Sequence, residues 1–92
     1  MYCEIKTTMK GYMYILECAD GSYYTGATKN LKHRIESHQN GEGAKHTKGR
    51  LPVKLVYFEE FQNYKDAFHR ERKIKTWRKR QKETLVKQGN VL

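Results

Sequence analysis

The chain has 92 residues, with 19 Lys and Arg against 10 Asp and Glu, for a net charge of +9. A chain this short forms one domain and buries roughly 60–65% of its unfolded surface, which leaves no room for separate catalytic and binding domains. The charge calls for a polyanionic partner, nucleic acid first and an acidic membrane surface second. No apolar run reaches the length of a membrane span or a signal-peptide core. Cys3 and Cys18 are too few for a disulfide scaffold and too poorly placed for zinc, so the expected location is the reducing cytoplasm.

In chain order, residues 1–9 read as a ragged leader, and Gly11 to Cys18 as an apolar, aromatic strand. Asp20-Gly21 signals a turn, and Ser22 to Gly26 continues as a short Tyr/Thr-rich strand, so the two form a hairpin. Asn30 is placed to cap a helix from Leu31 to Gln39. Residues 40–51, with three glycines, read as the longest loop. Pro52 opens a third strand, Val53 to Phe61, rich in Val, Tyr and Phe. Asn63 is placed to cap a second helix, Tyr64 to Trp77, and Arg78 to Lys87 reads as a further helix or a bent continuation. The expected fold is a small α/β domain over residues 10–87, with ragged ends at 1–9 and 88–92. Its three-stranded, mainly antiparallel sheet is flanked by helices in the order β-β-α-β-α-α. The pattern leaves the direction of the third strand open.

One residue breaks this pattern. The core stripe of the second helix reads Tyr64, Ala67, Phe68, Glu71 and Ile74, which puts a carboxylate among apolar side chains. A buried carboxylate must be paired, hydrogen-bonded or bound to a cation, because an isolated one is costly. The first helix repeats the feature, with Arg34 and His38 on the stripe of Leu31 and Ile35. Two helices are thus expected to aim an acid, a base and a cation at one side of the sheet. Polar residues that violate a local pattern mark functional sites.

The hairpin carries Gly11-Tyr12-Met13-Tyr14 and Tyr24-Thr25-Gly26. Arg34 follows Tyr24 by ten residues, His38 comes four later, and Glu71 lies on a later helix. This combination resembles the GIY-YIG nuclease superfamily. Gly43-Ala44-Lys45-His46-Thr47, Arg50, Pro52, Val53 and the stretch from Ala67 to Lys75 resemble its small single-domain bacterial branch, and the likeness covers residues 10–86. It departs in the position of the first glycine, in Thr25 for isoleucine, in Ala27 where some members carry lysine, and in a late asparagine without a match.

The resemblance implies a metal-dependent endonuclease. By analogy Tyr14 sits at the attacking water, Tyr24 hydrogen-bonds within the same site, Arg34 holds the scissile phosphate, His38 is an accessory group, and Glu71 binds one Mg²⁺ or Mn²⁺ ion. These residue types suit the chemistry. Arginine's fork matches phosphate, and Mg²⁺ accepts one carboxylate plus waters and phosphate oxygens. A tyrosine base is awkward, because its reference pKa is about 10. A shared site also needs Tyr14 and Tyr24 on one face, which predicts an odd-numbered hairpin loop, Asp20 to Ser22, or an equivalent bulge.

The partner expected from charge is nucleic acid, which the resemblance makes DNA rather than RNA, met through Lys45, Lys48, Arg50, Lys75, Arg78, Lys79 and Arg80, with no membrane and no obligate protein partner. Competing readings are set beside these. Any one tyrosine is a core aromatic, Arg34 a snorkelling side chain, His38 a structural histidine, Trp77 a packing residue, and Glu71 an ion pair with Lys75 one turn on. Two rival functions follow. One is a nucleic-acid-binding module that keeps the fold without catalysis, and the other is a basic protein of the membrane surface.

Overall fold

The computed structural model describes residues 10–89. The expected ends at 1–9 and 90–92, with Cys3, lie outside these. Strand β1, Gly11–Glu17, and strand β2, Tyr23–Thr28, form an antiparallel hairpin. Helix α1, Leu31–Gln39, starts where the Asn30 side chain accepts from the His33 amide. A single helical turn, α2, Lys45–Lys48, interrupts what reads in sequence as a bare loop. Strand β3, Lys54–Phe61, is followed by α3, Tyr64–Lys75, capped by Asn63 through the Asp66 amide. Helix α4, Lys79–Gln88, is separated from α3 by Thr76 to Arg78 and runs one residue past the expected Lys87. Among the described residues no helix is long and apolar enough to cross a membrane.

The sheet order is β2-β1-β3, and both pairings are antiparallel, which settles the third strand's direction. β1 is central and almost wholly buried, as a strand paired on both sides and covered on both faces must be. Its side chains alternate. Met13 and Ile15 join Tyr57 and Ile74 in one cluster, against which Trp77, Leu85 and Val86 pack. Tyr14 and Leu16 join Cys18 and Val53 in another, against which Leu31 and Ile35 of α1 pack. The helices therefore cover opposite faces. The expectation that both point at one side of the sheet is corrected, because the alternation of a central strand gives each helix its own apolar face.

The hairpin loop is odd-numbered but one residue earlier than expected. The Cys18 amide donates to the Ser22 carbonyl, the Gly21 amide donates to the Cys18 carbonyl, and Gly21 adopts φ +84°. This is a three-residue loop, Ala19 to Gly21, ending in a left-handed glycine. The register pairs Tyr14 with Gly26 and Leu16 with Tyr24. The parity is the expected one, and Tyr14 and Tyr24 share a face.

Helix α3 buries Ala67, Glu71 and Ile74. Phe68, expected on that stripe, is 37% exposed, and Tyr64 is half-buried. Helix α3 packs mainly on β1 and β2 and buries a narrower strip than periodicity suggests.

Candidate active site

Tyr14 is fully buried under α1, and its hydroxyl lies 2.9 Å from His38 Nε2. Arg34 Nε donates to the same hydroxyl oxygen at 3.4 Å. On the far side of the imidazole, His38 Nδ1 lies 2.8 Å from Thr47 Oγ1, and that hydroxyl donates to the Ala44 carbonyl at 3.0 Å. The bond network assigns the proton positions. The Thr47 hydrogen is committed to Ala44, so Thr47 accepts from Nδ1–H. His38 Nε2 is then a bare acceptor, and Tyr14 O–H donates to it. A chain of four groups runs from Arg34 through Tyr14 and His38 to Thr47.

Two glycines make this packing possible. A Cβ on Gly26, opposite Tyr14 in the sheet, would lie 2.5 Å from the Tyr14 hydroxyl oxygen. A Cβ on Gly43 would lie 2.2 Å from His38 Nδ1. The glycine of the second strand motif is thus required by the phenol that crosses it.

Tyr24 sits at the centre of the exposed side. Its ring is 5.2 Å from that of His38, 6.3 Å from that of Tyr14, and stacked at 6.1 Å on His46. His46 Nε2 lies 3.0 Å from Ser22 Oγ, which in turn donates to Asp20. The turn α2 therefore directs Thr47 to His38 and His46 to Tyr24 from adjacent positions.

Glu71 comes from α3, the helix on the opposite face, which packs on β1 and β2. It is 7% exposed and paired with Lys75 Nζ at 2.9 Å, and that ammonium lies 5.7 Å over the Tyr24 ring. The pair weighed in the sequence as a surface alternative therefore exists, with a buried carboxylate and a half-exposed lysine.

The electrostatics follow from the burial. Tyr14 is pushed up to about 12, by desolvation first and also by the Tyr24 and Glu71 charges, while Arg34 pulls it back. His38 is held down at about 4, by desolvation and then by the Arg34 guanidinium, so it is neutral at physiological pH. Arg34 holds its proton more tightly than usual, chiefly through Tyr14.

The basic residues divide into two groups. Lys45, Lys48, Arg78, Lys79 and Arg80 are exposed, and Lys79 Nζ lies 5.4 Å over the Tyr23 ring of the β2 edge. Arg50 bonds to Asp20 at 2.9 Å and to the His46 carbonyl at 2.8 Å, tying the hairpin turn to α2, and Lys75 is engaged by Glu71. Gly43 and Thr47 stand in the sequence only as part of a stretch that resembles the family, without a role, and contact with His38 gives them one.

Among the described residues no group of three His, Cys, Asp or Glu side chains forms a metal cage. A single buried carboxylate, neutralised by a lysine free to turn to water, fits a hard divalent cation that keeps its waters and takes further oxygens from a substrate.

The chain belongs to the GIY-YIG catalytic domain family, whose model matches residues 10–84. Within that class it is similar to small UPF0213 proteins. It is 52% identical to one from Clostridium perfringens over 87% of this chain and 86% of that protein. It is 49% identical to one from Staphylococcus saprophyticus over 87% and 98%. The solution structure of the UPF0213 protein from Bacillus halodurans matches with a TM-score of 0.56 at 46% identity, over 86% of this chain and 84% of that one.

Proposed function

We propose that the protein is a divalent-metal-dependent phosphodiesterase that cuts DNA, with Tyr14, Tyr24, Arg34, His38 and Glu71 as its site. The observation that carries this reading is the directed chain Arg34–Tyr14–His38–Thr47 beside the buried Glu71 carboxylate. Structural packing alone does not require a phenol held between a guanidinium and a neutral imidazole. DNA as substrate, repair or recombination as the setting and the cytoplasm as the location rest on the family and on the exposed basic residues.

The residues act as follows. Arg34 uses Nε on Tyr14, and its amino groups are left to hold a phosphate bidentately. Tyr14, at about 12, is not a phenolate at neutral pH, so it works as a relay: it passes its hydroxyl proton to His38 Nε2 as it accepts one from the attacking water. A phosphate bound at Arg34 cancels the positive charge that helps depress His38, which makes the imidazole a better acceptor when substrate is present. Thr47 keeps the accepting nitrogen turned toward Tyr14. Glu71 would hold the metal ion, which would stabilise charge on the phosphoryl and leaving oxygens.

The experiment is nicking of supercoiled plasmid with Mg²⁺ or Mn²⁺, with Glu71→Gln and Arg34→Ala as controls. Nicking by wild type alone supports the reading. Absence of nicking under all divalent conditions, with DNA still bound, rejects it. A specific observation favours the second reading, a binding module without catalysis. The Tyr14 side chain is fully enclosed, and Lys75 occupies the Glu71 carboxylate.

A further inference from the structure

Phe68 is the large hydrophobic side chain that stands exposed among the described residues, at 37%. It lies on the outward side of α3, one helical turn from Glu71. Tyr64 stacks on it at 6.0 Å with an interplanar angle of 27°. Cations flank both rings. Lys29 Nζ lies 5.7 Å from the Tyr64 ring centre, and the Arg72 guanidinium 5.7 Å from that of Phe68. Phe68, Glu71, Arg72 and Lys75 line one open depression of about 320 Å³. An aromatic surface bordered by cations thus runs along α3 into the carboxylate of the candidate site.

A lone exposed aromatic is ordinary on a protein surface, but here two stacked rings are each flanked by a cation. The pairing with two cations points to a ligand that is both flat and anionic. Nucleotides have both properties: a base offers a π-face to an aromatic ring, and its phosphates meet the flanking cations. A base inside a duplex has both faces covered, so only an unpaired one can use this surface. We infer that Tyr64 and Phe68 form a platform on which an unpaired base of the substrate stacks, beside the Glu71 carboxylate. The protein therefore prefers nucleic acid with unpaired bases beside the cut. This rests on the nucleic-acid reading of the same face, but it does not need catalysis.

The test measures binding in EDTA, where no cutting occurs. Fluorescently labelled single-stranded and fully paired DNA are titrated with wild type, Phe68→Ala, Phe68→Leu and Phe68→Tyr. Phe68→Ala and Phe68→Leu should each lose about tenfold in affinity for the single strand, the usual worth of one stacked base. The same variants should change less than about twofold on the duplex, which gains nothing from stacking. Phe68→Tyr should bind like wild type. A 2-aminopurine in the single strand should lose fluorescence on binding wild type and keep it with Phe68→Leu. Equal losses on both DNAs, or no loss on the single strand, overturn the platform. A Phe68→Ala variant that binds all DNA normally but turns a concentration-dependent dimer into a monomer overturns it in favour of contact between copies. The leucine variant keeps apolar bulk, so a general folding defect cannot mimic the result. If wild type fails to nick plasmid yet shows the stacking signature, the nuclease reading falls and the platform stands.

Discussion

Lowering the pH should destabilise this protein through His38. The imidazole is fully buried between Tyr14 and Thr47 and is held at about 4, against 6.5 in the unfolded chain. A depressed folded value means that the stability is present above 6.5 and is lost as the pH falls from there toward 4. Between about pH 7.5 and about pH 5, that pair of values costs about 2 kcal/mol, which is roughly 10 °C in melting temperature for a domain this small. Asp20, pulled down to about 2 by Ser22 first and then Arg50, loses its contribution below this window. The assay is urea denaturation followed by circular dichroism, without metal, at several pH values, on wild type and His38→Gln. The variant should be less stable than wild type at neutral pH, and its pH profile should be nearly flat in the same window. A wild-type change under about 0.5 kcal/mol, or an equal drop in the variant, would refute the buried, neutral imidazole on which the relay depends.

Other outcomes follow from individual contacts. Glu71→Met should abolish nicking while shifting metal-free stability by less than about 1 kcal/mol, because the half-exposed Lys75 can turn to water. A larger loss in urea would make the ion pair structural. Thr25 is buried with an Oγ1 that has no hydrogen-bond partner, so Thr25→Val should stabilise by about 1 kcal/mol in the same titration, and a destabilised variant would reveal a hidden partner. Gly26→Ala forces a methyl against the Tyr14 hydroxyl, and should cost on the order of 1–3 kcal/mol and most of the nicking. An unaffected variant would mean that Tyr14 moves freely. Replacing Lys45, Lys48, Arg78, Lys79 and Arg80 with Ala should flatten the salt dependence of DNA affinity, measured by anisotropy. The log–log slope should fall by about 0.9 for each phosphate that these side chains neutralise in the wild type. A slope equal to that of wild type would exclude these residues from the interface.

All three strands and the three longer helices were legible in the amino-acid sequence. Asn30 and Asn63 cap α1 and α3, as their positions before amphipathic segments require. Strand alternation separates Met13 from Tyr14, and Glu71 is legible because it interrupts an apolar stripe and is in fact buried. These are local signals, carried by residues a few positions apart. Even the parity of the hairpin could be reasoned from the demand that two tyrosines share a face. The one-residue shift of the loop could not, because it depends on which residue takes the left-handed conformation, and Gly21 does so at the loop's last position.

Contacts across long sequence separations were decided only by the tertiary structure. Tyr14 and His38 are 24 residues apart, and His38 meets Thr47 through a turn that no periodicity announces. The helices cover opposite faces because β1 is central, and strand order is not written in any one strand. Periodicity assigned Phe68 to the core because it measures the angle around a helix axis. How wide a strip is buried depends on what the helix packs against, and α3, packed on β1 and β2, leaves Phe68 exposed.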